Sequence, residues 1–151
     1  MNPYTNQYQQ NQISTASPEQ ILLMLYDGAI RFLKRAIVAN DAGKMVEKLE
    51  GISKCMAIVT EFSNSLNHDI GGNIAEDLDA LYQFMIRELN TARNEPTGKH
   101  LKVVEKLLLD LRDTWGQAVE INKQEQAALA GTSHQSPAAG DRPYKSLAVS
   151  G

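Results

Sequence analysis

A chain of 151 residues has the size of one domain, and 42% hydrophobic residues supply enough apolar material for a core, which excludes a wholly disordered protein. Fifteen Lys and Arg against 18 Asp and Glu leave a net charge of −3, so nucleic acid, which needs clustered cations to neutralise its phosphates, is not an expected partner. The single cysteine, Cys55, excludes an internal disulfide framework, and no apolar run approaches the ~18 residues of a membrane span, so no membrane insertion is expected.

Residues 1–17 carry no charge and seven Asn or Gln, with Tyr4, Tyr8 and Ile13 as their large apolar groups besides Met1. Such a stretch cannot build its own core and reads as an N-terminal arm, flexible or docked elsewhere. Its opening has neither a basic n-region nor an apolar h-region, so a cytoplasmic protein is expected rather than a secreted one.

A first helix is predicted over about 18–39. Ser17 is placed to cap it, Pro18 at N1 loses nothing by lacking an N–H, and Gln20 at N3 reaches back to the cap. After the turn Asn40-Asp41-Ala42-Gly43, a second helix covers 44–66, with Met45, Leu49, Ile52, Met56, Val59, Ser63 and Leu66 at steps of three and four. The third is predicted over 73–94, opening on Asn73 with Glu76 at N3 and repeating Ile74, Leu78, Leu81, Met85, Leu89 and Ala92. Pro96-Thr97-Gly98 turns the chain into a fourth, over 98–124, with Leu101, Val104, Leu108, Leu111, Trp115 and Ala118 on one side. No segment alternates with period two. Short links between helices of matched length predict an all-α, antiparallel up-down-up-down four-helix bundle over 18–125. Residues 126–151, rich in Gly, Ser, Ala and Pro, read as a flexible, disordered C-terminal tail.

Catalytic chemistry has little footing in this pattern. A di-metal bundle needs Glu three residues before His, and the residues at those positions before His68, His100 and His134 are Ser65, Thr97 and Gly131. Gly43-Lys44 and Gly98-Lys99 lack the frame of a phosphate-binding loop, and Cys55 beside an apolar stripe reads as a small buried hydrophobe. No catalytic residue, metal or cofactor is expected.

The informative anomaly is surplus apolar surface. The first helix fills two adjacent stripes: Leu22, Leu25, Ala29, Phe32 and Ala36, and Leu23, Tyr26, Ile30, Leu33 and Ile37. Val103 and Leu109 fall off the main stripe of the fourth. Either the first helix is simply the most buried, or part of the excess lines a groove for another helix or an extended peptide. Met24, Met45, Met56 and Met85 suit such a groove, as they suit a plain core.

Tyr8, Ile13 and the block STASPEQILLMLYDGAIRFLKRA resemble the N-terminal signature of the flagellar secretion chaperone family, FliS. GGNIAEDLDALYQFMIREL is similar to the family's third helix, and Trp115 stands where its fourth helix ends, so the resemblance spans about 4–120. The tail departs from the family pattern. The resemblance implies a non-enzymatic, cytoplasmic chaperone. It would bind the disordered C-terminal segment of flagellin, prevent premature polymerisation and deliver it to the flagellar type III export apparatus. It points to Tyr8, Ile13, Ile21, Leu22, Met24, Leu25 and Tyr26 as partner-binding residues, and the apolar surplus adds Val103 and Leu109. A helical-bundle adaptor or self-associating structural protein is the alternative, since the extra stripe would equally serve a dimer interface. The oligomeric state is left open.

Overall fold

Helix α1 runs from Pro18 to Asp41 and begins as the sequence dictates. The Ser17 hydroxyl accepts from the Gln20 amide at 3.2 Å, and the Gln20 side chain accepts from the Ser17 amide at 3.1 Å. These reciprocal bonds satisfy donors that a helix N-terminus would otherwise leave unpaired. Helices α2 (Met45–Asn64), α3 (His68–Ala92) and α4 (Lys99–Thr132) follow. The structure, a computed structural model, describes residues 16–132.

The four helices pack as a closed ring, each against its sequence neighbours, with α1 also against α4. One pole fixes their directions. Asn40, at the end of α1, donates to the Pro96 carbonyl between α3 and α4 at 3.1 Å. Lys48, in the first turn of α2, donates to the Glu95 carbonyl at 3.1 Å. The C-termini of α1 and α3 therefore meet the N-termini of α2 and α4, which is the expected antiparallel bundle.

Side chains from every helix fill the interior: Ala29, Leu33 and Ala36 from α1, Ile52, Cys55 and Val59 from α2, Met85 and Leu89 from α3, and Leu101, Val104 and Leu108 from α4. Stacked aromatics close the layer toward the other pole, with Tyr26 and Phe62 centroids 4.4 Å apart and Tyr82 5.5 Å from Phe62. Contact between α1 and α2 is tight because Gly51 has no side chain. A Cβ there would stand 2.7 Å from the Phe32 carbonyl oxygen.

Three helix boundaries and faces differ from the sequence expectation. The third helix starts at His68, not near Asn73, because Asn67 caps it by accepting from the Ile70 amide at 3.2 Å. Gly72 then breaks the helical path with φ 50° and ψ −123°, a conformation open to glycine, and so joins the short opening turn to the main helix. The fourth helix runs on through residues 126–132, composition assigned to the tail, because Gln, Ala and Leu there are strong helix formers even without a core to face. In α2, Met45 stands exposed, while Lys48, Gly51 and Cys55 turn inward. The register follows the close approach at Gly51 rather than side-chain polarity alone. Lys48 is only 2% exposed, its stem buried and its ammonium spent on the Glu95 carbonyl.

Candidate docking surfaces

The polar contacts of α4 assign its two flanks. Glu105 meets Lys34 of α1 at 3.3 Å, and Arg112 meets Asp27 of α1 at 2.9 Å. Leu109, four residues from one and three from the other, shares that flank. His100 instead pairs with Glu88 of α3, which places Val103, three residues further on, at the opposite flank. Both aliphatic side chains are 42% exposed.

On α1, Leu25 lies three residues before Gly28, which borders Ile58 of α2, and seven before Phe32, whose backbone borders Gly51. Ile21 continues the same stripe, so both point along the α1–α2 side, with Leu25 38% exposed and Ile21 half-buried. Leu22 packs on the core and Met24 is half-buried. Tyr26 is fully interior. The residues singled out in the sequence thus share no single groove: they spread over three flanks, with one inside. Tyr8 and Ile13 lie outside the described residues.

Tyr26 organises the interior beneath these flanks. Its hydroxyl hydrogen-bonds that of Tyr82 at 2.7 Å and accepts from the Trp115 indole N–H at 3.3 Å. Burial raises the Tyr26 phenol above its ordinary 10.0, while its bonds to Tyr82 and Trp115 partly offset the rise. Burial also raises Tyr82, helped by the neighbouring Tyr26.

Further apolar surface sits at the two poles, and of it only Met45 was marked in the sequence as suited to a groove. Val38, Met45 and Val46 are exposed around the α1–α2 turn, Val46 at 75%. Ile70 and Ile74, the latter 63% exposed, stand in the first turns of α3, and Ile121 is exposed in the second half of α4. With His100 beside Glu88, antiparallel stepping sets Ile74 alongside position 114 of α4, while Ile70 lies beyond the break at Gly72. The signal for Ile70 was present, since an isoleucine inside a Gly-rich connection has no core to enter. Ile74 gave no such signal. It continues the apolar stripe, but Ala75 and Leu78 already form the last buried layer at that height.

The chemistry on offer is apolar contact rather than bond-making. Desolvation pushes the Cys55 thiol up to about 12, so at neutral pH it stays protonated and inert. Among the described residues no group of three or more His, Cys, Asp and Glu is placed to hold a metal ion. None of their helices is long and apolar enough to cross a membrane. Exposed aliphatic groups on several flanks, each bordered by charged residues, suit a partner that supplies its own apolar side chains.

Known proteins are similar in sequence to most of this chain. The family model described as Flagellar protein FliS matches residues 1–122. The flagellar secretion chaperone FliS of Bacillus subtilis is 34% identical over 130 residues, covering 86% of this chain and 96% of the relative. That of Salmonella typhimurium is 36% identical over 106 residues, 70% of this chain and 78% of the relative. That of Vibrio cholerae is 32% identical over 107 residues, 71% and 79% respectively.

Proposed function

The chain belongs to the FliS family of flagellar secretion chaperones, which are not enzymes, and on that footing we propose that it is a cytoplasmic export chaperone for flagellin. It binds the disordered C-terminal segment of flagellin, covers the surface through which flagellin copies associate, and hands the segment to the flagellar type III export apparatus.

The observation that carries this reading is the distribution of exposed aliphatic side chains. Leu25, Leu109 and Val103 lie on three different flanks of one bundle, and a single rigid helix laid on one face reaches only part of that set. A segment without structure of its own can follow the surface around, offsetting its ordering entropy by burying its apolar side chains piece by piece. Ile21, Leu22 and Met24, all half-buried on α1, and Tyr8 and Ile13 join the set by their match to the family signature.

Titrating the protein with a peptide of the same cell's flagellin C-terminus in a calorimeter is expected to give a stoichiometric complex with a negative heat-capacity change. A folded protein that leaves this peptide unbound would overturn the reading. Light scattering on the same samples separates it from a self-associating adaptor, which would show a concentration-independent dimer indifferent to the peptide.

A further inference from the structure

A trough of about 770 Å³ runs over the outer face of α1 and the first half of α2, from Asp27 to Lys54. Its floor is apolar, formed by Phe32, Val38, Ala39 and Ala42. Val38 is exposed, and Phe32 is half-buried against the core beneath.

The rim is cationic in a chain that is acidic overall. Arg31, Lys34, Arg35, Lys44 and Lys54 border the trough, against Asp27, Glu47 and Glu50. Two of those carboxylates are already held: Asp27 by Arg112 at 2.9 Å and Glu50 by Lys54 at 2.9 Å. Lys34 is taken by Glu105. Among the described residues no carboxylate lies within ion-pair distance of Arg31, Arg35 or Lys44. Three cations nevertheless converge on one aromatic ring. Arg31, Arg35 and Lys54 stand 5.4, 5.7 and 5.3 Å from the Phe32 centroid. The ring quadrupole attracts each of them, and Glu50 neutralises Lys54 and also draws on Arg35, which leaves Arg31 and Arg35 as the guanidinium pair with no ion-pair partner among the described residues.

We propose that this trough is a docking surface for an acidic amphipathic helix of a protein partner, its apolar side resting on Phe32 and Val38 and its carboxylates meeting Arg31, Arg35 and Lys44. Carboxylates at the rim relieve the crowding of like charge around Phe32, and apolar side chains cover the floor. Charge complementarity of this kind fixes the register of a partner and speeds its arrival. The apolar floor favours a protein over a nucleic acid, whose outward phosphates would leave Phe32 and Val38 uncovered while the rest of the acidic chain repelled them. α1 between Asp27 and Asp41 spans about 21 Å at 1.5 Å per residue, room for a helix of about 15 residues. The inference stands on charge and shape alone and does not depend on the identity of the exported client.

Fluorescence anisotropy with the full chain tests it, using a labelled helix of about 15 residues with Glu and Leu at helical spacing, its Lys-for-Glu counterpart, and a duplex oligonucleotide of similar length. The acidic helix is expected to bind, its affinity falling several-fold as salt rises, and the Lys counterpart to bind far more weakly. Arg31→Glu with Arg35→Glu is expected to lower the affinity about tenfold, with helicity retained because both side chains are exposed, and a melting temperature only slightly lowered by the lost contacts with Phe32 and Glu50. Lys44→Glu alone gives a smaller loss in the same direction. An acidic helix that fails to bind or binds the double variant equally well, or an oligonucleotide that binds more tightly than the helix, overturns the proposal.

Discussion

The Tyr26 hydroxyl meets two partners, Tyr82 at 2.7 Å and Trp115 at 3.3 Å, and this makes the two tyrosines unequal. Tyr26→Phe removes both bonds and strands the Tyr82 hydroxyl in a site where that residue is 2% exposed. Tyr82→Phe removes one bond and leaves the Trp115 contact in place. Urea unfolding is expected to show a loss of about 2 kcal/mol for Tyr26→Phe and about 1 kcal/mol for Tyr82→Phe, since a stranded buried donor costs more than a lost bond. Buried weak acids also set the alkaline limit. Cys55 is raised from 9.0 to about 12 in the folded state, so it contributes stability in full below pH 9.0 and loses it as pH climbs toward 12. Tyr26 and Tyr82, both raised from 10.0, act in the same direction at higher pH. Cys55→Ala is expected to start less stable at pH 8, from the cavity it leaves, but to decline less steeply between pH 9 and about 10.5. Unfolding free energies across that range are the measurement.

At the scale of helices, two glycines with similar surroundings on paper are expected to answer substitution in opposite directions. An added Cβ at Gly51 meets the Phe32 backbone oxygen at 2.7 Å, which cannot move without parting α1 from α2. At Gly116 the nearest atom, also at 2.7 Å, is the far end of the Arg112 side chain, which can swing aside. Alanine gains about 1 kcal/mol over glycine in either helix interior. Gly51→Ala is expected to lose about 1–2 kcal/mol net, as overpacking outweighs propensity, while Gly116→Ala stabilises by about 0.5 kcal/mol. Thermal melts of the two variants decide it. The helices themselves were legible because apolar residues recur every three or four positions, and the Ser17-Pro18-Gln20 start was legible because its capping chemistry is local. Lys48 was not, since polarity places it outside and only the proximity of the Glu95 carbonyl brings it in. The start of α3 was misread for a different reason: Asn73 with Glu76 three residues on has the pattern of a cap, but Asn67 already caps an opening turn by accepting from the Ile70 amide, ahead of the break at Gly72.

Across the whole molecule, the exposed aliphatic groups are distributed rather than concentrated, and this part was only half legible. Val103 and Leu109 were visible as residues off the stripe of the fourth helix, but their assignment to opposite flanks depends on which neighbour His100 and Arg112 meet. Tyr26 sits within the same run as Leu25 and cannot be separated from it by composition, because adjacent positions on a helix face 100° apart and only tertiary packing decides which one is enclosed. The arrangement has a direct consequence for a wrapped client. Val103→Asp and Leu109→Asp act on surfaces separated by the width of α4, so a segment passing around the bundle feels both. Each is expected to weaken binding of the flagellin C-terminal peptide about fivefold, or ~1 kcal/mol. The double variant should lose the sum, because contacts on separate flanks share no partner. Both side chains are 42% exposed, so the melting temperature should hold and the change in Kd reports the contact itself. Calorimetry in which one substitution carries the whole loss and the other is silent would mean that the client lies along a single flank of α4.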